Sequence, residues 1–243
     1  MSEGEGLWRK PELRWPIRLF GAAALLLGVG LAVFGPEARP WFVGTFIAAG
    51  AWVAFSVWDE TRGRAAALHR VRERWLADPT VLAHGDDLHF LEDGQPLFAR
   101  LAMGSRGPSV TILTPLRETT AAFAIASPHL PAPGFDGLEP PVGGPPLTPL
   151  SGLQSLLGGL GKVSGNDPGT LERWMDATLV AALTNALRDH RESFRGLTFD
   201  GRFLGVHWVG SPALDPSAAR ALSAPLWRPF VPRLPAASTA LLN

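Results

Sequence analysis

The stretch of this chain richest in groups able to bind a metal or move a proton is "HGDDLHF", which sets His84, Asp86, Asp87 and His89 within six residues. Imidazole and carboxylate together suit a transition metal, and alternation along a strand places Asp87 and His89 on one face. A closed shell needs about four ligands, and no second His, Asp or Glu motif stands elsewhere to complete it. His69, His129, His190 and His207 are scattered singly, with no HExxH among them. A polar turn entering a strand is the better account, so no metal site is expected. His207, in "GVHWVG", alternates with Val206 and Trp208 and is expected on the solvent face of its strand.

Nucleophilic catalysis finds as little. The chain has no Cys, and its serines in "GSRG" and "VSGND" lack the GxSxG framing of a nucleophile elbow. "LLGGLGKVSG" has glycines and Lys162, but no Ser or Thr follows the lysine and a strand rather than a helix comes next. No catalytic residue and no cofactor are expected, and the chain reads as a non-enzyme. "KVSGNDPGTLERW" is how a helix begins: Asn166 or Asp167 precedes Pro168, and Glu172 falls where the helix dipole favours a carboxylate.

The elements carrying these segments follow from periodicity. Of 243 residues 46% are hydrophobic and 18% charged, and Lys plus Arg (22) balances Asp plus Glu (22). That composition fills a core and gives no reason to expect a nucleic-acid partner. Two apolar runs, residues 17–34 and 41–58, hold one charge between them, Arg18. At ~1.5 Å per residue each covers about 27 Å, at the short end for a bilayer core of ~30 Å, so both are expected to span a membrane. Trp15, Trp41 and Trp58 stand at run ends as interfacial anchors, and Pro36 and Pro40 break the chain between the runs. Arg9, Lys10, Arg14 and Arg18 also suit a signal peptide, but no small-residue cleavage site follows and a second apolar run does. With Lys and Arg concentrated before the first run and after the second, both termini are expected in the cytoplasm of a bacterial inner-membrane protein with two spans.

Residues 59–78 are expected to continue the second helix, with Leu68, Val71 and Trp75 on one stripe. Arg62, Arg64, Arg70, Arg72 and Arg74 surround that stripe, either as membrane-surface contacts or as the solvated side of a stalk. From residue 79 the period changes to that of an α+β domain of antiparallel sheet with packed helices. "DLHFLEDGQPLFARLAM" reads as a hairpin around an Asp-Gly turn, "SVTILTPLRETTAAFAIAS" as a second, and "SFRGLTFDGRFLGVHWVG" as a third. A Pro/Gly-rich loop with no regular element beyond a short turn around Leu153 to Leu157 is expected over residues 128–161, one helix from Gly169 to about His190, and a final helix from Asp215.

"KVSGNDPGTLERWMDATLVAAL", "LTFDGRFLGVHW" and "LDPSAARALSAPLW", preceded by "HGDDLHFLEDGQPLFARL", resemble segments of a broad group of uncharacterised bacterial membrane proteins. The resemblance implies two membrane helices ahead of a cytoplasmic α+β domain of unassigned activity, and it brings no catalytic residues. The expected role is a non-enzymatic membrane-anchored protein acting as an interaction, accessory or scaffold subunit. The bilayer, and a protein partner or a second copy, are its expected partners. The alternative is a lipid- or small-ligand-sensing protein that uses the domain and its basic helix.

Overall fold

The computed structural model describes residues 39–104, 106–130 and 147–232. The chain divides into two compact units, Met1–Ala67 and Leu68–Asn243. Helix α1 is Arg39–Leu76, 38 residues without a break. Its hydroxyls are satisfied locally: Thr45 donates to the Trp41 carbonyl at 2.8 Å and Ser56 to that of Trp52 at 2.9 Å.

The expected transmembrane hairpin is corrected here. Among the described residues no helix is long and apolar enough to cross a membrane, and residues 17–34 lie outside them. The described apolar run, residues 41–58, covers roughly 27 Å, at the short end for a hydrocarbon core of ~30 Å. It is diluted by Gly44, Thr45, Gly50 and Ser56, and α1 then continues through Asp59, Glu60, Arg62 and Arg64. The two-span inner-membrane placement with both termini cytoplasmic falls with the hairpin, because it rested on those spans.

The described residues of the second unit build a nine-stranded sheet in which every paired neighbour is antiparallel. Its strands are β1 Leu82–His84, β2 Asp87–Glu92, β3 Gln95–Gly104, β4 Gly107–Pro115 and β5 Phe123–Ala126. After these come β6 Thr148–Pro149, β7 Lys162–Gly165, β8 Phe194–Phe199 and β9 Phe203–Val209. The spatial order is β1-β2-β3-β4-β9-β8-β5-β7-β6. The β2–β3 hairpin turns at Asp93 and Gly94, both with positive φ (53° and 76°), as a two-residue turn matching the strand twist requires. In the β8–β9 turn the Asp200 carboxylate accepts from the backbone N–H of Arg202 at 2.8 Å and of Phe203 at 2.6 Å.

The second expected hairpin does not form. β4 pairs with β3 and β9, whereas β5 pairs with β8 and β7. The linker between them is tied to the β8–β9 turn, Leu116 N–H donating to the Arg202 carbonyl and Thr119 N–H to that of Gly201, both at 2.8 Å. Those bonds carry β5 past the β9–β8 hairpin to its far side, a pairing between distant segments that local alternation does not encode.

Helices α2 Ser151–Leu156, α3 Pro168–Trp174, α4 Ala177–Asp189, α5 Ser211–Leu214 and α6 Pro216–Trp227 complete the unit, with a 3-10 turn at Arg228–Phe230. The single helix expected over residues 169–190 is split, because the Asp176 carboxylate accepts from Leu179 N–H at 2.8 Å and starts α4 afresh. Asp215 does the same for α6, accepting from Ser217 N–H at 2.9 Å and Ala218 N–H at 3.2 Å. The core lies between these helices and the sheet face that carries Phe90, Leu97, Ile112, Val206, Leu197 and Ile125. Trp75, near the end of α1, is fully buried, lies 6.3 Å from the Phe90 ring and donates from its indole N–H to the Ala213 carbonyl at 2.9 Å. Trp208 donates likewise to Ser223 at 2.9 Å, so both large rings bury their apolar surface without stranding a polar atom.

Candidate functional site

The strand register sets a second group of residues on the face away from the helices. One cross-strand row there reads His84, Asp87, Arg100, Thr111, His207, each paired directly with the next. The adjacent row reads Leu82, His89, Phe98, Leu113, Gly205, Thr198. Strands stand about 4.8 Å apart, so these are contact neighbours rather than members of a loose patch.

At the centre of this face His207 is 2% exposed, which corrects the solvent-facing position expected for it. Alternation does put it opposite Val206 and Trp208, but both faces are buried at β9. Its Nδ1 lies 3.0 Å from the Thr111 hydroxyl and its Nε2 2.7 Å from that of Thr198. A neutral imidazole offers one donor and one acceptor, and a hydroxyl fits either, so the trio is satisfied in the uncharged form. Burial, helped by the charge of Arg195, pushes the His207 pKa down to about 3. Gly205 makes room for the trio: a Cβ there would stand 3.0 Å from the Thr198 hydroxyl oxygen and 3.1 Å from His207 Nε2. With both nitrogens bonded and no access to solvent, His207 fastens three strands together and has no free atom to offer a substrate.

Near the β1 edge the "HGDDLHF" residues separate by function. Asp87 takes a two-point bond from Arg100, Nε to Oδ1 and Nη2 to Oδ2, both 2.9 Å. Arg72 holds the turn itself, donating to the backbone carbonyls of Gly85 and Asp86. His84 and His89 lie ring against ring, 4.8 Å between centroids, and the Phe98 ring stands nearly perpendicular to His89 with 4.4 Å between centroids. Desolvation, then the neighbouring His84, lowers the His89 pKa, which Asp87 partly offsets. No group of three or more His, Cys, Asp or Glu among the described residues is placed to hold a metal ion.

His89 and Phe98 also line a cavity of about 430 Å³, together with Leu82, Leu91, Pro96 and Leu97. Phe90 and Thr80 also line it. Leu82 and Leu91 at its mouth are 68% and 58% exposed. The Thr80 hydroxyl is already committed, lying 2.7 Å from Asp78 Oδ1 and accepting from Arg220 at 3.1 Å. His89 makes ring contacts only and has no hydrogen-bond partner among the described residues. One wall is stiffened by an ion-pair network in which Arg220 meets Asp78 at 2.8 Å and Glu92 at 3.3 Å while lying over the Phe90 ring.

The remaining sequence candidates lie elsewhere. Asp167 accepts from Thr170 N–H at 3.0 Å, and hydrogen bonding from the Thr170 side chain, then from that N–H, holds its carboxyl below the ordinary carboxylate range. Asn166, before it, ties the segment to the loop ahead of β5, accepting from Ala122 N–H at 2.7 Å and donating to the Thr120 carbonyl at 2.9 Å. Of the α1 arginines, Arg62 lies over the Trp58 ring at 4.6 Å and Arg64 pairs with Glu60. Arg70 and Arg74 are exposed, Trp41 and Trp58 are 81% and 52% exposed, and Trp15 is outside the described residues. Sequence reading missed Thr111, Thr198, Gly205 and the cavity, since alternation gives a residue's face but not whether that face is covered.

No protein-family profile matches the chain, and no curated protein is similar to it. Among solved structures, the crystal structure of the mycobacterial trehalose monomycolate transport factor A, TtfA, is similar over 72% of this chain and 100% of that one. Identity is 12% and the TM-score 0.45, too slight a likeness to carry an argument.

Proposed function

We propose that this chain is a non-enzymatic binding protein whose sheet domain takes an apolar group into the cavity between β1, β2 and β3. The supporting observation is that cavity: about 430 Å³, walled by Leu82, Leu91, Pro96, Leu97 and Phe98, with two leucines exposed at the mouth. Pockets of roughly 300–1,000 Å³ with mainly apolar walls are of the size that holds small organic molecules. Burying an apolar ligand there would remove the cost that exposed Leu82 and Leu91 now carry in water. The test is titration of the full chain with a neutral solvatochromic dye such as Nile red. Saturable binding that Leu82→Glu plus Leu91→Glu abolishes, and that Trp52→Glu on α1 leaves intact, is the expected result. Dye binding indifferent to the two leucine substitutions would end this reading.

A second reading, docking of a protein partner or a second copy, rests on a separate observation. Trp41, Ile47, Trp52, Phe55 and Trp58 of α1 are between 52% and 81% exposed. Contiguous apolar surface of this kind marks association sites. Sedimentation velocity is expected to find concentration-dependent self-association that Trp52→Glu plus Phe55→Glu removes, and a monomer at all concentrations would count against association between copies.

A further inference from the structure

Resting on the ligand-cavity reading above, we infer that the molecule it takes is small, uncharged and mainly apolar, with a single hydrogen-bonding group that His89 holds.

Among the described residues two polar side chains line the cavity, Thr80 and His89. Thr80 is unavailable, its hydroxyl engaged by Asp78 at 2.7 Å and by Arg220 at 3.1 Å. His89 is the opposite case. Its ring packs against His84, 4.8 Å between centroids, and crosses Phe98 nearly at right angles, 4.4 Å between centroids, yet neither nitrogen has a partner among the described residues. A ring fixed by packing loses little freedom when it binds, so its hydrogen bond adds to affinity instead of offsetting an ordering cost. A neutral imidazole presents one donor and one acceptor, which suits a hydroxyl or a carbonyl.

Charge selects in the same direction. Charged groups on the strands, turns and helices that flank the cavity are paired: Asp87 with Arg100, Asp78 and Glu92 with Arg220, and Asp93 with Arg228. None of them lines the cavity. An ionised ligand would give up its hydration on entering apolar walls and meet no counter-charge, whereas a hydroxyl loses far less and regains a bond at His89. His84 on β1, Asp87 on β2 itself and Arg100 on β3 are the titratable groups beside His89 on this face, and Asp87 and Arg100 neutralise one another.

The probes are naphthalene, 1-naphthol and naphthalene-1-sulfonate, titrated calorimetrically or by dye displacement into the full chain near neutral pH. The expected result is binding of naphthalene, about fivefold tighter binding of 1-naphthol, as one net hydrogen bond supplies, and weaker binding of the sulfonate than of naphthalene. In His89→Phe the naphthol advantage disappears while naphthalene binds as before, and in His89→Gln, which keeps a donor and an acceptor, the advantage returns. A wild-type protein that binds naphthalene and naphthol equally, or prefers the sulfonate, overturns this inference and leaves the apolar cavity reading standing. If none of the three binds, both fall. An advantage that persists in His89→Phe places the hydrogen bond elsewhere and overturns the role of His89.

Discussion

The buried histidine of the sheet gives the sharpest test of the structure, because its proton has nowhere to go. In the unfolded chain the imidazole titrates near 6.5, whereas in the fold burial, aided by Arg195, takes its pKa down to about 3. A depressed pKa means that the folded state prefers the uncharged ring. Stability from this group is therefore complete above pH 6.5 and is lost as the pH falls from 6.5 toward 3, the unfolded chain binding a proton that the folded one refuses. Over that window the slope is about 1.4 kcal/mol per pH unit, so lowering the pH from 7 to 4.5 costs on the order of 2.5 kcal/mol through His207 alone. The perturbation is His207→Gln, which keeps a donor and an acceptor for Thr111 and Thr198 but cannot titrate. Urea denaturation of both proteins at several pH values from 4.5 to 7 should give stability curves that converge as the pH falls, the wild type losing about 2.5 kcal/mol more than the variant. Other acid-sensitive groups are common to both proteins and cancel in the difference. Nitrogen-detected NMR of the wild type gives a direct second reading, since His207 should stay neutral at pH 4.5. Parallel stability curves, or a His207 ring protonated at pH 5, would refute the reasoning.

Further expectations concern the packing around the trio and the ends of the helices. Gly205→Ala places a methyl 3.0 Å from the Thr198 hydroxyl and 3.1 Å from His207 Nε2, so it should cost about 1–3 kcal/mol in urea denaturation, and less when Thr198 is also changed to Ala. Asp176→Ala removes the cap that divides α3 from α4 and should cost about 1 kcal/mol by thermal unfolding, with Asp176→Asn or Asp176→Ser recovering most of it. Trp75→Ala empties a fully buried site and frees the Ala213 carbonyl, an expected loss of roughly 3–5 kcal/mol by denaturant titration, whereas Trp75→Phe should cost clearly less.

Much of the second unit was legible in sequence because its signals are local. "EDGQ" placed the β2–β3 turn, and "FDGRF" placed the β8–β9 turn, because Asp-Gly supplies the positive φ and the side-chain acceptor that those turns need. Asp167-Pro168 and Asp215-Pro216 marked two helix starts for an equally local reason, a carboxylate within reach of free N–H groups. The transmembrane hairpin failed for a different reason from the misplaced strand and the split helix. It rested on runs of uncharged residues near the lower limit of span length, where a few Gly, Thr and Ser positions decide the balance.

Alternation along β9 determined that His207 opposes Val206 and Trp208, and composition determined that the chain could fill a core. Neither could say that the far side of β9 is buried as well, that Thr111 and Thr198 come from strands 96 and 9 residues away in sequence to bond one imidazole, or that β5 crosses to the far side of the β8–β9 hairpin. Pairings of that kind depend on the order of strands in the sheet, and that order is fixed by the summed burial of the whole core and not by any one segment's preference. The cavity beside His89 belongs to the same class: its lining comes from β1, β2, β3 and Thr80 ahead of them, and only the pairing of those strands brings the residues together.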